Sequence, residues 1–212
     1  MPRRPEVRQM NPRIAEPLLS HRVRDHVLST AVAPVPEAPL IRSGPVEIWA
    51  TTQSGVPGTT LSTVGVSDTE LASTIRRRPV RVEFLAIAGE DPWRPVLTAA
   101  LAQVAEDCLA AGVVVNRGSA VRCRPEVAAA LGADHLYVSR AVYHHRSFSQ
   151  VRAEGRRVEL WWLFPLHAEE ERYLAANGWE RFEDLVVEAR PALADPARPV
   201  IPLPAARPRR TG

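Results

Sequence analysis

The chain has 212 residues and 45% hydrophobic content, enough to bury one sizeable core, so a globally disordered protein is excluded. Its net charge of +3 is carried by its ends: Arg3, Arg4, Arg8 and Arg13 face only Glu6 over residues 1–13, Arg198, Arg207, Arg209 and Arg210 stand unopposed over 196–212, and the residues between are mildly acidic. A nucleic-acid binder carries positive charge on its fold, because phosphate neutralisation dominates affinity, so nucleic acid is not expected as a partner of the folded part.

The expected layout is a basic tail over residues 1–13, one folded domain over 14–198 and a Pro/Arg-rich tail over 199–212, both tails disordered. Residues 14–28 read as a helix in which Leu19, Val23 and Val27 recur at four-residue spacing, with Pro17 in its first turn. Residues 30–45 are proline-rich and read as an irregular connection. Val46–Thr52 and Thr59–Ser67 follow as two strands joined by the turn QSGVPG, a hairpin. Arg76–Arg78 reads as a solvated charge run. The strand Val80–Ala88 comes next, then the helix Val96–Ala111, whose apolar positions hold a 3.6-residue period up to Gly112.

Beyond that helix, Val113–Val115 is extended, residues 125–131 form a short helix closed by Gly132, and His135–His144 is a strand broken near Ser139. The strongest strand is Arg156–Pro165, apolar on both faces, with Trp161 and Trp162 pointing to opposite sides. A helix opening on Glu169, Glu170 and Glu171 and ending at Gly178 follows, the acids reading as a solvated helix start, and a last helix covers ERFEDLVVEA. Strands interleaved with helices indicate a single α/β (α+β) domain, a mixed and mainly antiparallel sheet flanked by helices.

Cys108 and Cys123 make no disulfide framework, no secretory segment stands near Met1, and no apolar run reaches the ~18 residues of a membrane span, so the cytoplasm is the expected compartment and no membrane partner is expected. No C-x-x-C, H-x-x-x-H or H-E-x-x-H spacing exists, so no metal is expected, and no glycine-rich phosphate cradle appears, so no cofactor is expected. His144 and His145 are adjacent and cannot readily share one ion. In GVSDT, Gly65 and Ser67 suggest a nucleophile turn, but threonine stands where the second glycine is required. The preferred reading is a strand end at which Ser67 and Asp68 satisfy free backbone donors. The rival is a small hydrolase or transferase using Ser67 and Asp68 with His135, His144 or His145. Glu83 and Glu159 sit inside apolar strands, where a carboxylate needs a partner, and Arg81 or Arg157 on a neighbouring strand is the expected one. Candidate partner contacts are Trp161, Glu159, Ser67, Asp68 and Trp93, tryptophan being enriched at interface hot spots.

The hairpin EIWATT…TTLSTVGVSD, the strand RVEFLAI, the helix in EDPWRPVLTAALAQVAEDCLAAG and the segment VELWWLFPLHAEEERYLAANGWERFEDLV resemble, in order and spacing, the suppressor of fused family in a bacterial member. The likeness covers about residues 14–198, with His167 where a threonine-like cap is usual. The resemblance implies an α/β domain without known catalytic activity, with TVGVSD a structural signature at a strand end. It also implies a partner that is another protein or an extended peptide, gripped by strand addition in animal relatives. For bacterial members it implies an immunity protein that neutralises a cognate toxin domain in the cytoplasm.

Overall fold

A computed structural model describes residues 19–204, with the exception of Ala33, Val35 and Glu154. The expected first tail and the start of the first helix, Pro17 included, lie outside the described residues, as do residues 205–212 of the second tail.

The elements run α1 (Leu19–Ser29), β1 (Ile41–Ser43), β2 (Val46–Thr52), β3 (Thr59–Val64), a single 3-10 turn (Val66–Asp68), β4 (Ala72–Ser73), β5 (Arg81–Ala88), α2 (Trp93–Ala111), β6 (Val113–Val114), β7 (Ala120–Arg122), α3 (Pro125–Leu131), β8 (His135–Arg140), β9 (Gln150–Ala153), β10 (Arg156–Leu166), α4 (Ala168–Asn177) and α5 (Trp179–Ala189). Eight strands form one sheet in the order β1-β2-β3-β5-β10-β8-β7, with β9 also on β10. Every pairing in it is antiparallel except β5 with β10, which is parallel and places Glu159 opposite Val82 and Trp161 opposite Phe84. The sheet is therefore mixed and mainly antiparallel, flanked by helices in one domain, as its residue pattern predicts.

Both faces of the sheet are covered, which explains why β5 and β10 are apolar at consecutive positions. On one face α2 and α3 pack Leu97, Leu101, Val127 and Leu131 against Phe84, Val138, Trp161 and Leu163. On the other, α1, α5 and the C-terminal segment pack Val23, Val27, Phe182 and Ile201 among Leu85, Tyr137, Trp162 and Phe164. Trp161 and Trp162 thus serve opposite cores, 5% and 1% exposed.

Four short strands escape the sequence pattern. β1 lies inside the stretch expected to be irregular, and β4, β7 and β9 have two to four residues each. Segments this short carry too few alternations for a period to register. The second hairpin strand stops at Val64 instead of Ser67: Gly65 turns the chain at φ 119°, where a Cβ would stand 2.3 Å from the Pro45 carbonyl oxygen. At the C-terminus, Ile201 is 2% exposed and its N–H donates to Glu170 Oε1 at 2.9 Å, so packed chain runs past the boundary expected at 198.

Candidate functional site

Ser67 and Asp68 are held by structural bonds. The carboxyl of Glu83, fully buried on β5, accepts from Ser67 Oγ at 2.7 Å, from Thr63 Oγ1 at 2.7 Å, and from the N–H groups of Gly65 and Ser67 at 2.9 and 3.0 Å. Among the described residues no arginine joins it. The expected partner Arg81 instead donates to the carbonyls of Ser67 and Asp68, at 2.6 and 2.9 Å, and pairs with Glu70. Burial pushes the Glu83 carboxyl above its ordinary value, and the four donors oppose that shift without cancelling it. Asp68 Oδ1 accepts the Ser20 N–H at 2.8 Å and caps the first turn of α1 from far along the chain.

The rival catalytic reading loses its geometry here. Ser67 Oγ is committed to Glu83, while His144 Nε2 bonds Thr60 Oγ1 at 3.0 Å and His145 Nδ1 bonds Ser147 Oγ at 2.8 Å. Ser67 is 0% exposed, so it offers nothing to a partner either. Trp93 opens α2, half-buried against the α2 face of the core. Cys108 and Cys123 are free and buried, and burial raises both thiols, Cys123 to about 11. Among the described residues no three His, Cys, Asp or Glu side chains gather as metal ligands would.

Glu159 and Trp161 line an open cleft. Strand β10 has β5 along one edge over residues 158–162; along the other edge β8 and β9 lie end to end, facing 161–166 and 156–159 respectively. Residues 141–149 bridge the gap between them, anchored by the Leu160 N–H on the Ser149 carbonyl at 3.0 Å. A cleft of about 780 Å³ opens at that gap, lined by Arg140, His144, Arg146, Arg157, Glu159 and Trp161, among others. A second cavity of about 650 Å³, lined by Arg78, Arg81 and Arg156, shares Arg76, Arg157 and Glu159 with the first.

Glu159 is the knot between them. Its carboxylate takes a bidentate hold from Arg76, at 2.7 and 3.0 Å, a contact from Arg157 at 3.2 Å and the Trp161 indole N–H at 3.1 Å. Burial acts to raise this carboxyl, but Arg76 and Trp161 outweigh it and hold it below the usual value. Arg76 is exposed, as its triple run suggests, yet tied to the groove. The Ser73 hydroxyl accepts its backbone N–H at 3.1 Å, and its guanidinium lies 5.9 Å from the Trp161 ring centre. On the floor, His144 is buried and stacks on Phe148 at 4.4 Å; burial lowers it to about 4, so it is neutral near pH 7.

The domain, mildly acidic in sum, thus gathers arginines into one basic groove, a face that charge counting along the chain misses. The one available signal is local: Arg140, Arg146, Arg152, Arg156 and Arg157 outnumber the acids of their segment.

The model of the family described as suppressor of fused protein matches residues 44–199. A suppressor of fused homologue from Neisseria gonorrhoeae superposes with a TM-score of 0.64 at 14% identity, covering 88% of this chain and 98% of its own. A chain of a Sufu–Fu complex superposes with a TM-score of 0.56 at 11% identity, covering 78% of this chain and 82% of its own. At such identities these likenesses show a shared fold. No curated protein matches the chain.

Proposed function

The chain belongs to the suppressor of fused family, and from that membership we propose that it works as a protein-binding domain and not as an enzyme. One observation carries this reading: the open groove holds charge-bearing side chains fixed by a preformed network around Glu159, while the one serine suspected of nucleophilic chemistry is buried on Glu83. A structural relative was determined as a Sufu–Fu complex, which supports a protein as the kind of partner. Among the described residues no helix is long and apolar enough to cross a membrane.

The finer proposal is an immunity protein in the cytoplasm, neutralising a toxin domain encoded beside it; the bacterial resemblance supports it. Glu159 and Trp161 remain the proposed partner contacts from the sequence, Trp161 acting through Arg76 and Glu159 because its own ring is covered. Co-expression of the chain with the product of the adjacent gene, scored by growth and co-purification, tests both levels. Rescue with co-elution is the expected result. A harmless neighbour removes the toxin proposal, and failure to recover any stoichiometric protein from the native host removes the binding proposal.

A further inference from the structure

The joined cavities are asymmetric in charge. Arg140 and Arg146 line one side and Arg78 and Arg156 the other, and none of these four has an ion-pair partner among the described residues. Between them Glu159 is neutralised by Arg76 and Arg157. The groove therefore presents two patches of free positive charge separated by a centre in which Arg76 and Arg157 share the Glu159 carboxylate, leaving a single net positive charge. Unpaired guanidinium groups are planar forks suited to carboxylates, which they grip bidentately.

Resting on the protein-binding reading above, we propose that this groove takes an extended acidic segment of the partner, with carboxylates at two places flanking a non-acidic centre. Two features favour a polypeptide over nucleic acid. A phosphate backbone carries charge at every step and would have to set one beside the Glu159 carboxylate, whereas a peptide can place a neutral residue there. Bases also need an exposed aromatic face, and the ring in this groove, Trp161, is 5% exposed with Arg76 lying over it. The two cavities meet at Glu159, so a segment running from one to the other passes over the Arg76–Glu159 knot.

The test uses the full chain and a fluorescein-labelled peptide of two aspartate pairs separated by Gly-Ser-Gly, followed by anisotropy at about 50 mM salt, where charge is little screened over a groove's width. The expected result is saturable binding that weakens roughly tenfold in R140S/R146S and again in R78S/R156S, since each removes two charge-assisted contacts. The tail variant R207S/R209S/R210S should bind as the parent does, and all three variants should melt with it, because the substituted residues have no ion-pair partners among the described residues or lie outside the described fold. The asparagine version of the peptide should not bind. Undiminished binding by both groove variants overturns the proposal, as does loss of binding in the tail variant. Tighter binding of a ten-nucleotide oligo-dT than of the acidic peptide overturns it in favour of nucleic acid. A protein partner that co-purifies equally with the parent and with R140S/R146S sinks the groove assignment while the protein-binding reading survives.

Discussion

Glu83 and Glu170 are both 0% exposed, yet the fold treats them in opposite ways. Glu83 is surrounded by neutral donors close in the chain, from Thr63, Gly65 and Ser67, and burial raises its carboxyl. Glu170, in the first turn of α4, meets a full charge. Arg198 grips it bidentately at 2.6 and 2.7 Å, with the Ile201 and His167 N–H groups at 2.9 and 3.1 Å. Burial acts to raise this carboxyl too, but Arg198 and the Ile201 and His167 N–H groups together outweigh it and lower the net value. Depth alone does not decide the charge state of a buried acid; the charge of its nearest donor does. The two knots also do different jobs. Glu83 ties a turn to the strand beside it, whereas Glu170 straps the C-terminal segment to the start of α4, helped by His167 Nε2 at 2.9 Å from the Arg198 carbonyl.

The largest effect that would sharpen this contrast lies at the ion pair. Arg198→Ala should destabilise by about 3–5 kcal/mol in urea or thermal melts, because it leaves a buried carboxylate unpaired. The double change Glu170→Leu with Arg198→Met should recover much of this, to a loss of about 1–2 kcal/mol from the stranded His167 and Ile201 donors. A double variant no better than the single would mean that the strap depends on shape and not on charge.

The next effect is a pH dependence at His144. Its folded pKa, lowered to about 4, lies below its ordinary 6.5, so its stability contribution is present above 6.5 and is lost as pH falls toward 4. Melting temperatures of the parent should fall across that window, and those of His144→Asn should fall less. Like Glu83, His144 is buried against neutral hydroxyl partners, and burial works against the charged form in both.

The two glutamates should then separate by the sign of their pH response. A lowered carboxyl such as Glu170 stabilises above the unfolded value of about 4.3, and that contribution is lost below it. A raised carboxyl such as Glu83 stabilises fully below about 4.3 and loses that contribution as pH climbs through its folded value. Glu83→Gln should therefore cost under about 1 kcal/mol at pH 5 and gain on the parent at higher pH. Parallel pH curves for parent and variant would break the contrast. Ser67→Ala should cost about 1 kcal/mol in the same melts, since one donor of four is removed from Glu83.

The helices and long strands were legible because their periods extend over enough residues to average out local noise. Val96–Ala111 and Arg156–Pro165 match α2 and β10 to within three residues at every boundary. Glu159 was legible as a paired carboxylate with Arg157 among its expected partners, although Arg157 reaches it along the same strand and not from a neighbouring one. The pairing of its stronger partner, Arg76, was not legible, because nothing local marks an exposed arginine whose guanidinium reaches a strand far along the chain. The solvated reading of Glu169–Glu171 failed at Glu170 because its partner lies 28 residues on, at the last position of the expected domain.

What the sequence alone determined is the layered α/β plan, the double-sided burial of β10 and the opposed tryptophans, since each follows from the spacing of apolar residues along one element. What only the tertiary structure decided is most pairings of charged side chains: Glu83 with a neutral turn, Glu170 with Arg198, Glu159 with Arg76, and the arginines of two loops and of β8 and β10 in one groove. Hydrophobic burial sums over a periodic stretch and leaves its mark there, whereas an ion pair depends on two side chains meeting within about 3 Å, a distance set by the path of the whole chain.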